Sequence, residues 1–367
     1  MSMRSSAGRL ACGQFAAHVR GRSLSSVGGV STVGVIGLGL MGHGIAQTAA
    51  EKGFNVVAIE LEDRFLEGGM KRIVGSVKKL TTKAVEKGKM DATAGEAHVA
   101  GVLGRITPTT DRAALAGCDC IIEAVIEDIK LKEVLYQDIG ATVSDSCIIA
   151  SNTSSLSIGK MAGHCGRPSQ MIGMHFFNPV QMMKLVEVIK TDQTDPALFS
   201  RAMEFTRALG KTPVECIDTP GFVVNRLLVP YLCSALTLVE RGVASATDVD
   251  VAMKLGAGHP MGPIALADYV GLDTCLAIIS GWKQEFPNVR NRHQACSHKL
   301  TRAVLCDASV RAPSRTSSHT PSDRLDVARQ DPAFFVPDSL KAKVAEGKLG
   351  RKSGEGFFVW DGDKLAA

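Results

Sequence analysis

The sequence lacks any apolar run close to the roughly 18 residues that a membrane-spanning helix needs, so we expect no membrane span. Its ten cysteines include no repeated CxxC pair and no cysteine–histidine spacing typical of a zinc finger. We therefore interpret all ten as free thiols in a reducing compartment and predict no metal site. We therefore expect neither structural disulfides nor a zinc finger.

Acidic residues are also scarce where the chain is most basic. Residues 1–30 contain four arginines and no acid, and residues 289–330 contain eight lysines or arginines against three aspartates. These two segments together carry +9, more than the formal net charge of +5, and the rest of the chain is mildly acidic at −4. The net charge therefore gives no reason to expect a nucleic-acid partner.

The N-terminal residues 1–30 are rich in arginine, serine, alanine and glycine, and the first acid in the chain is Glu51. This composition is typical of a mitochondrial transit peptide, which we expect to be removed before Val33 on import into the matrix. A disordered tail without a targeting role is the alternative. The final Lys-Leu-Ala-Ala differs from the Ser-Lys-Leu peroxisomal signal.

The length of 367 residues predicts two domains. Residues 31–219 alternate short buried-strand patterns with helical ones, which predicts an α/β domain with a Rossmann-like, mostly parallel sheet. The helical pattern of residues 220–367 predicts an all-α C-terminal domain, including one helix over Ile264–Ser280. This domain has more apolar surface than its own core needs, so we expect it to form a homodimer interface.

A glycine-rich segment, Gly37-Leu-Gly-Leu-Met-Gly42, follows the predicted strand Thr32–Ile36 and opens a predicted helix. The next predicted strand ends at Glu60. This order of strand, glycines, helix and acid is the dinucleotide-binding fingerprint, in which the helix N-terminus faces the phosphates. Because a carboxylate binds ribose hydroxyls and repels a 2′-phosphate, we predict NAD rather than NADP as the cofactor.

The segment Asp63–Val102 is too long for a simple connection between strands and predicts an inserted helical hairpin. Its first arm carries five basic residues: Lys71, Arg72, Lys78, Lys79 and Lys83. A basic arm of this kind suits an anionic substrate tail, and a solvated charged face is the alternative.

Two apolar, strand-like runs flank Asn178-Pro179, a dipeptide typical of a turn. Their connection is too short for a parallel crossover, so the runs should pair antiparallel. A turn centred on Gln181 places His175 opposite Glu187, with Cβ atoms about 5 Å apart. A carboxylate in that position orients an imidazole for acid–base chemistry. A hydrogen-bonded core histidine is the alternative.

Polar residues follow predicted strands at three points: Gly37–Gly42, Glu127–Lys132 and Ser151–Ser155. In an open α/β sheet, ligands bind at the carboxyl ends of the strands. We therefore expect these three segments to line one site.

From Val33 to Asn288, and again from Asp331 to Trp360, the chain resembles the L-3-hydroxyacyl-CoA dehydrogenases, the mitochondrial β-oxidation type in particular. The strings that carry the resemblance are Gly37–Gly42, Ser151-Asn-Thr-Ser-Ser155, His175-Phe-Phe-Asn-Pro179, Lys184-Leu-Val-Glu187, Asp218-Thr-Pro-Gly-Phe-Val-Val-Asn-Arg226, Leu255-Gly-Ala-Gly-His-Pro-Met-Gly262 and Lys352-Ser-Gly-Glu-Gly-Phe357.

The resemblance implies NAD-dependent oxidation of an L-3-hydroxyacyl-CoA to a 3-oxoacyl-CoA in fatty-acid β-oxidation. It implies that His175 is the general base, that Glu187 orients it, and that Ser154 and Asn225 surround the reacting oxygens of the substrate. The implied CoA contacts are Ser76, Lys83 and Ser154. The implied NAD contacts are Gly37, Leu38, Gly39, Leu40, Met41, Gly42, Glu60, Glu127, Lys132, Ser154 and Lys352.

Two other functions are compatible with parts of this pattern. Related sugar-acid dehydrogenases, including lens-crystallin relatives, share the fingerprint and a similar His/Glu pair, but should lack the basic hairpin. A structural or interaction protein could bind NAD without turnover, yet binding alone does not require Ser154, His175, Glu187 and Asn225 together.

Residues Val289–Gln330 match nothing else in the chain and show no sustained periodicity. So long a structureless stretch inside a compact domain is itself anomalous. Every codon for its first residue, valine, begins with GT, and one codon for its last residue, glutamine, is CAG. An intron is expected to begin and end with these bases. We therefore interpret the segment as a retained, in-frame intron; a disordered, lineage-specific surface loop is the alternative.

We predict that deleting Val289–Gln330 leaves activity intact, because the entropy of closing a loop changes only slowly with its length. Peptides or transcript reads that join Asn288 directly to Asp331 would support the intron. Peptides from inside the segment, with no junction found, would defeat it.

Overall fold

The computed structural model describes residues 27–285 and 335–366, which form two compact units. The first unit ends at Phe222 and the second begins at Val223. The segment Val289–Gln330 and nearly all of the expected transit peptide lie outside the described residues, so those expectations stay predictions.

The first unit is built on an eight-stranded sheet in the order β3-β2-β1-β4-β5-β6-β7-β8. Every neighbouring pair is parallel except β6 and β7, which pair antiparallel. This confirms the Rossmann-like, mostly parallel sheet. The strands are β1 Thr32–Ile36, β2 Asn55–Ile59, β3 Ile106–Thr109, β4 Cys120–Glu123, β5 Ile148–Ser151, β6 Met171–Phe176, β7 Leu185–Lys190 and β8 Thr212–Ile217.

Within residues 27–222, six α-helices accompany this sheet: α1 Gly42–Glu51, α2 Asp63–Glu86, α3 Ala92–Leu103, α4 Ile129–Thr142, α5 Ile158–Cys165 and α6 Pro196–Ala208. Helices α2 and α3 form the predicted hairpin. The Asp91 side chain begins α3 by accepting a hydrogen bond from the Ala94 amide, and Gly88 turns the chain between the helices with φ of +66°. A carboxylate at the N-cap satisfies an amide that has no partner within the helix.

The central strands are buried on both faces, which explains why they are apolar without alternation. Val33 and Val35 pack into one core layer with residues of α1, α2 and α6. Ile36 and Ile121 pack into the opposite layer with residues of α4 and α5. The sheet is therefore a rigid support, and its strand ends hold their positions.

All seven cysteines among the described residues are buried free thiols. Burial raises the pKa of the Cys118 and Cys147 thiols to about 12, with a smaller contribution from neighbouring negative groups. These thiols stay protonated at neutral pH and act as small apolar core residues.

Ordered packing begins before the expected domain boundary at residue 31. Val30 is fully buried, and the Arg201 Nε donates to the carbonyl oxygen of Gly28 at 2.8 Å. The turn Val27–Val30 therefore belongs to the first unit.

The second unit contains helices α7 Val224–Glu240, α8 Ala246–Gly256, α9 Pro263–Val270, α10 Leu272–Glu285 and α11 Asp338–Ala345. It confirms the expected helical C-terminal domain, and two details differ from the expectation. The helix expected over Ile264–Ser280 is broken, because Gly271 adopts a φ of +105° that ends α9. The unit also contains a small hairpin of β9 Trp360–Asp361 and β10 Lys364–Leu365, so it is not purely helical.

Asp268 is the buried polar centre of this second unit. Its carboxylate accepts hydrogen bonds from the backbone amides of Phe357 and Phe358 and from the Trp360 indole. Burial raises the pKa of Asp268, and these three donors oppose that rise. The carboxylate therefore fastens the C-terminal segment to α9 through satisfied hydrogen bonds.

Of the helices in the described residues, none is by itself long and apolar enough to cross a membrane. The pair α9 and α10 meets the length and composition criteria together, but the two helices are bent by 89° at their junction.

Candidate active site

The dinucleotide loop leaves β1 at Gly37 and enters α1 at Gly42. Gly37 has a φ of +87°, and a Cβ on it would lie 2.8 Å from the carbonyl oxygen of Ala124. A Cβ on Gly42 would overlap the carbonyl oxygen of Gly37, whereas one on Gly39 would meet open space. The first and third glycines are therefore required by packing, and the middle glycine leaves room for a phosphate to approach the backbone.

Glu60 lies at the end of β2 and faces this loop. Its carboxylate accepts a hydrogen bond from the Leu38 amide and another from the Leu61 amide. An open slot beside it is lined by Gly37, Glu60, Leu61, Arg112, Leu131 and Val134. A slot with apolar walls and a carboxylate at one end fits an adenosine, so the residues present suit the NAD expected from the fingerprint.

A buried ionic network lies at the carboxyl ends of β4 and β5. The Lys132 Nζ is 3.1 Å from Glu123 Oε1 and 3.0 Å from Glu127 Oε2. Glu123 also accepts hydrogen bonds from Tyr136 at 2.9 Å and Ser151 at 2.7 Å. Burial, followed by the Glu123 carboxylate, raises the pKa of Tyr136, so the phenol keeps the proton that it donates. The positive charge of Lys132 is thus shared between two carboxylates.

We expect Lys132 to contact the cofactor. In this structure its side chain is 1% exposed and pairs with Glu123 and Glu127. Glu127 is more open: its side chain is 39% exposed. Glu127 is therefore the more accessible partner in this ionic network.

Ser154 is positioned by Glu127. The Glu127 Oε1 accepts hydrogen bonds from the Ser154 amide at 2.7 Å and from its hydroxyl at 3.2 Å. Thr153 donates to the same carboxylate at 3.0 Å. The loop after β5 is therefore fastened to the loop after β4, as expected for two strand ends that meet at one edge of the sheet.

The antiparallel pair β6 and β7 carries the histidine and its carboxylate. Its register pairs His175 with Glu187, which confirms the expected arrangement, and the turn contains a cis bond between Asn178 and Pro179. The His175 Nδ1 lies 2.7 Å from Glu187 Oε2, and Glu187 is fully buried. Because a carboxylate can only accept, Nδ1 carries the proton and the lone pair of the neutral ring lies on Nε2.

Neighbouring groups restrain this pair. The Phe177 ring centroid lies 4.5 Å from that of His175, and the Phe222 centroid lies at 5.7 Å. The Asn152 side chain accepts a hydrogen bond from the Phe176 amide at 2.8 Å, which ties the end of β6 to the serine-rich loop. The imidazole therefore has aromatic neighbours and little rotational freedom.

The loop between β6 and β7 is held by a buried lysine. The Lys211 Nζ donates to the carbonyl oxygens of Val180 and Met183. Burial lowers the pKa of Lys211, and the nearby Glu51 opposes that effect. From the other side, the Gln181 Nε2 lies 2.9 Å from Gln47 Oε1 and 3.5 Å from the Ser76 hydroxyl.

The remaining expected site residues are on α2 and in the second unit. Ser76 is half-buried and Lys83 is exposed, both on α2. Asn225 is the second residue of α7 in the second unit. Lys352 is also in the second unit, with its Nζ 2.5 Å from Asp273 Oδ2.

Several residues that shape the site were missed by sequence reasoning. Glu123 gave a usable signal, since an acid inside an otherwise apolar strand is rarely buried without a partner. Lys211, Gln47 and Gln181 gave none, because their contacts join segments far apart in the chain.

Comparison with known proteins gives the family. The family model described as "3-hydroxyacyl-CoA dehydrogenase, NAD binding domain" matches residues 32–219. The model described as "3-hydroxyacyl-CoA dehydrogenase, C-terminal domain" matches residues 221–308.

Individual relatives cover most of the chain. The human "Hydroxyacyl-coenzyme A dehydrogenase, mitochondrial" is 41% identical over 90% of this chain and 91% of its own length. A "Probable 3-hydroxybutyryl-CoA dehydrogenase" from Deinococcus radiodurans is 46% identical over 74% of this chain and 95% of its own. The crystal structure of (S)-3-hydroxybutyryl-CoA dehydrogenase from Ralstonia eutropha matches with a TM-score of 0.74 and 35% identity, over 90% of this chain and 99% of that one.

We predict a strong preference for NAD over NADP, because a 2′-phosphate would approach the Glu60 carboxylate. Glu60→Ala should lower the ratio of kcat/KM with NAD to kcat/KM with NADP. Glu62→Ala is the matched control, since Glu62 pairs with the exposed Arg64 and lies outside the dinucleotide loop. Equal use of NAD and NADP by the unaltered protein would refute the assignment of Glu60.

Proposed function

Because this chain belongs to the 3-hydroxyacyl-CoA dehydrogenase family and is an NAD-dependent enzyme of that type, we propose that His175 is its general base and that Glu187 orients it. The reaction converts the 3-hydroxyl group of an L-3-hydroxyacyl-CoA to a 3-oxo group. NAD, when bound, supplies the hydride acceptor. The protein supplies the base, the position of the substrate and the surrounding charge.

The observation that carries this proposal is the short hydrogen bond between His175 Nδ1 and Glu187 Oε2 in a buried strand pair. With Nδ1 engaged, Nε2 is the nitrogen that accepts the proton of the 3-hydroxyl. Glu187 then offsets the positive charge that forms on the ring. Water is largely excluded around both side chains, which strengthens this electrostatic contribution.

Ser154 is the second polar group that we assign to the reaction. The Glu127 carboxylate fixes its amide and its hydroxyl, so the hydroxyl oxygen has a defined position. We assign it to the reacting oxygens of the substrate, together with Asn225 as the family resemblance implies. We also assign Glu127 and Lys352 to the bound NAD on the same basis.

The CoA part of the substrate is assigned to one face of α2. Residues spaced by three or four along a helix share a face, so Arg72, Ser76, Lys79 and Lys83 form one line, called here the basic stripe. Three cations beside a hydroxyl suit the phosphates of CoA. This feature favours the thioester over the sugar acids of related dehydrogenases.

The biological setting follows from the reaction class and the relatives. We propose a place in fatty-acid β-oxidation, where a 3-hydroxyacyl thioester is oxidised, and localisation in the mitochondrial matrix. The human relative is named mitochondrial, and the N-terminal composition is typical of a transit peptide. N-terminal sequencing of protein from the organelle should show that the chain has been cleaved between Ser2 and Val33. An uncleaved start at Met1 or Ser2 would contradict this localisation.

The second unit supports the proposal of a homodimer. Leu227, Leu238, Val251 and Leu255 of α7 and α8 are exposed, and Leu255 is 83% exposed. Exposed large apolar side chains on neighbouring helices are typical of an interface. Sedimentation at micromolar concentration should give twice the monomer mass, and a stable monomer would contradict it.

The oxidation of NADH in the presence of acetoacetyl-CoA tests the proposed reaction in its reverse direction. Acetoacetyl-CoA is expected to oxidise NADH, and a sugar acid is expected not to reduce NAD. Binding of NAD without any turnover would instead favour a structural or interaction protein.

We predict that His175→Gln and Glu187→Gln each lower kcat about 10²- to 10⁴-fold. NAD affinity should change little, because neither residue lies in the dinucleotide loop. The loss of kcat in the double variant should be far smaller than the two single losses combined, because the two residues act as a unit. His164→Gln makes the same change at an exposed histidine paired with Glu133 and should retain activity. Near-normal turnover by His175→Gln would contradict the mechanism.

A further inference from the structure

The loop between the two catalytic strands makes contacts that the reaction itself does not explain. Gln181 lies at the centre of the β6–β7 register, six residues from both His175 and Glu187. A Cβ on Gly44 of α1 would lie 3.1 Å from Gln181 Nε2 and 2.9 Å from the Val180 side chain. The loop therefore sits directly on α1, and the glycine is what permits this approach.

A line of side-chain hydrogen bonds runs from α1 through this loop to the basic stripe. The Gln47 Nε2 donates to Glu51 Oε1 at 2.8 Å, the Gln181 Nε2 donates to Gln47 Oε1 at 2.9 Å, and the same Nε2 lies 3.5 Å from Ser76 Oγ. Gln47 is fully buried, so its amide has a fixed environment.

The direction of these hydrogen bonds follows from the chemistry of the end group. A carboxylate only accepts, so the NH₂ group of Gln47 faces Glu51 and its carbonyl oxygen faces Gln181. Gln181 must then present its NH₂ group, which can donate to Gln47 and to Ser76 together. Ser76 is consequently an acceptor towards Gln181, and its single hydroxyl proton is left for another partner.

Ser76 lies within a cationic environment. Arg72, Lys79 and Lys83 of the basic stripe stand one or two turns from it, and the Arg72 guanidinium approaches the Leu38 carbonyl oxygen at 3.5 Å. Lys71 and Lys78 fall on a different face of α2 by helix geometry. A hydroxyl held as a donor among three cations is suited to a phosphate.

We infer that Gln181 is a positioning residue for the coenzyme A part of the substrate. It holds the Ser76 hydroxyl as a donor towards a phosphate of CoA, and it links that contact to the loop between His175 and Glu187. This inference rests on the proposed function, because that function supplies the CoA substrate. It assigns to a loop residue a part in selecting CoA thioesters over smaller thioesters.

The test compares two substrates that share the reacting group. Acetoacetyl-CoA carries the nucleotide phosphates, and acetoacetyl-pantetheine lacks them. Gln181→Met keeps the length of the side chain and removes the donor. Its KM for acetoacetyl-CoA should rise about two- to ten-fold, the effect of one hydrogen bond. Its kcat, and its kcat/KM for acetoacetyl-pantetheine, should stay unchanged.

A second variant tests the charge near Ser76. Gln181→Glu places a carboxylate beside the stripe, where it repels a phosphate and accepts the Ser76 proton. Its KM for acetoacetyl-CoA should exceed that of Gln181→Met, and the excess should shrink at high salt. Met182→Ala, at a 72% exposed neighbour in the same loop, is the matched control and should behave like the unaltered protein.

A double-mutant cycle separates positioning from simple loss of structure. Ser76→Ala removes the hydroxyl that Gln181 acts through, so adding Gln181→Met should raise KM no further. Three outcomes would overturn the inference. The effects of Ser76→Ala and Gln181→Met on KM could add, Gln181→Met could lower kcat/KM equally with both thioesters, or KM could stay unchanged in both Gln181 variants.

Failure of the proposed function would look different, because the unaltered protein would then turn over neither thioester. Calorimetric titration with free coenzyme A still tests the inference in that case. Weaker binding to Gln181→Met than to Met182→Ala supports it, and equal binding overturns it.

Discussion

The hydrogen bond between His175 and Glu187 depends on one reversal of direction in the sheet. Strands β1 to β6 run parallel, and β7 turns back against β6, so residues equidistant from Gln181 face each other. A fully buried carboxylate is costly unless it is paired. The two side chains therefore form one unit: the strand pair determines their distance, and each stabilises the other in a site with little water.

The rest of the site is organised by the carboxyl ends of the parallel strands. The dinucleotide loop follows β1, Glu123 ends β4, and the loop with Ser154 follows β5. Lys132 contacts Glu123 and Glu127 at the end of β4, and Glu127 in turn fixes Ser154 in the loop after β5. A buried cation between two acids gives this edge of the sheet a defined geometry.

Periodicity, turn chemistry and glycine spacing were enough to predict the parallel sheet, the helical hairpin and the pairing of His175 with Glu187. They did not predict that Gly271 breaks the helix expected over Ile264–Ser280, although glycine commonly follows the last residue of a helix. The burial of Lys132 and the contacts of Gln181 could not be predicted, because they depend on side chains that only the tertiary fold brings together.

The central claim is that Glu187 fixes the tautomer of His175, and nitrogen NMR of histidine-labelled protein measures this directly. His175→Gln identifies the signals of the ring. The unaltered protein should show the neutral ring protonated on Nδ1, and Glu187→Gln should weaken that preference. A neutral ring protonated mainly on Nε2 in the unaltered protein would contradict the account, because that nitrogen could not then accept the substrate proton.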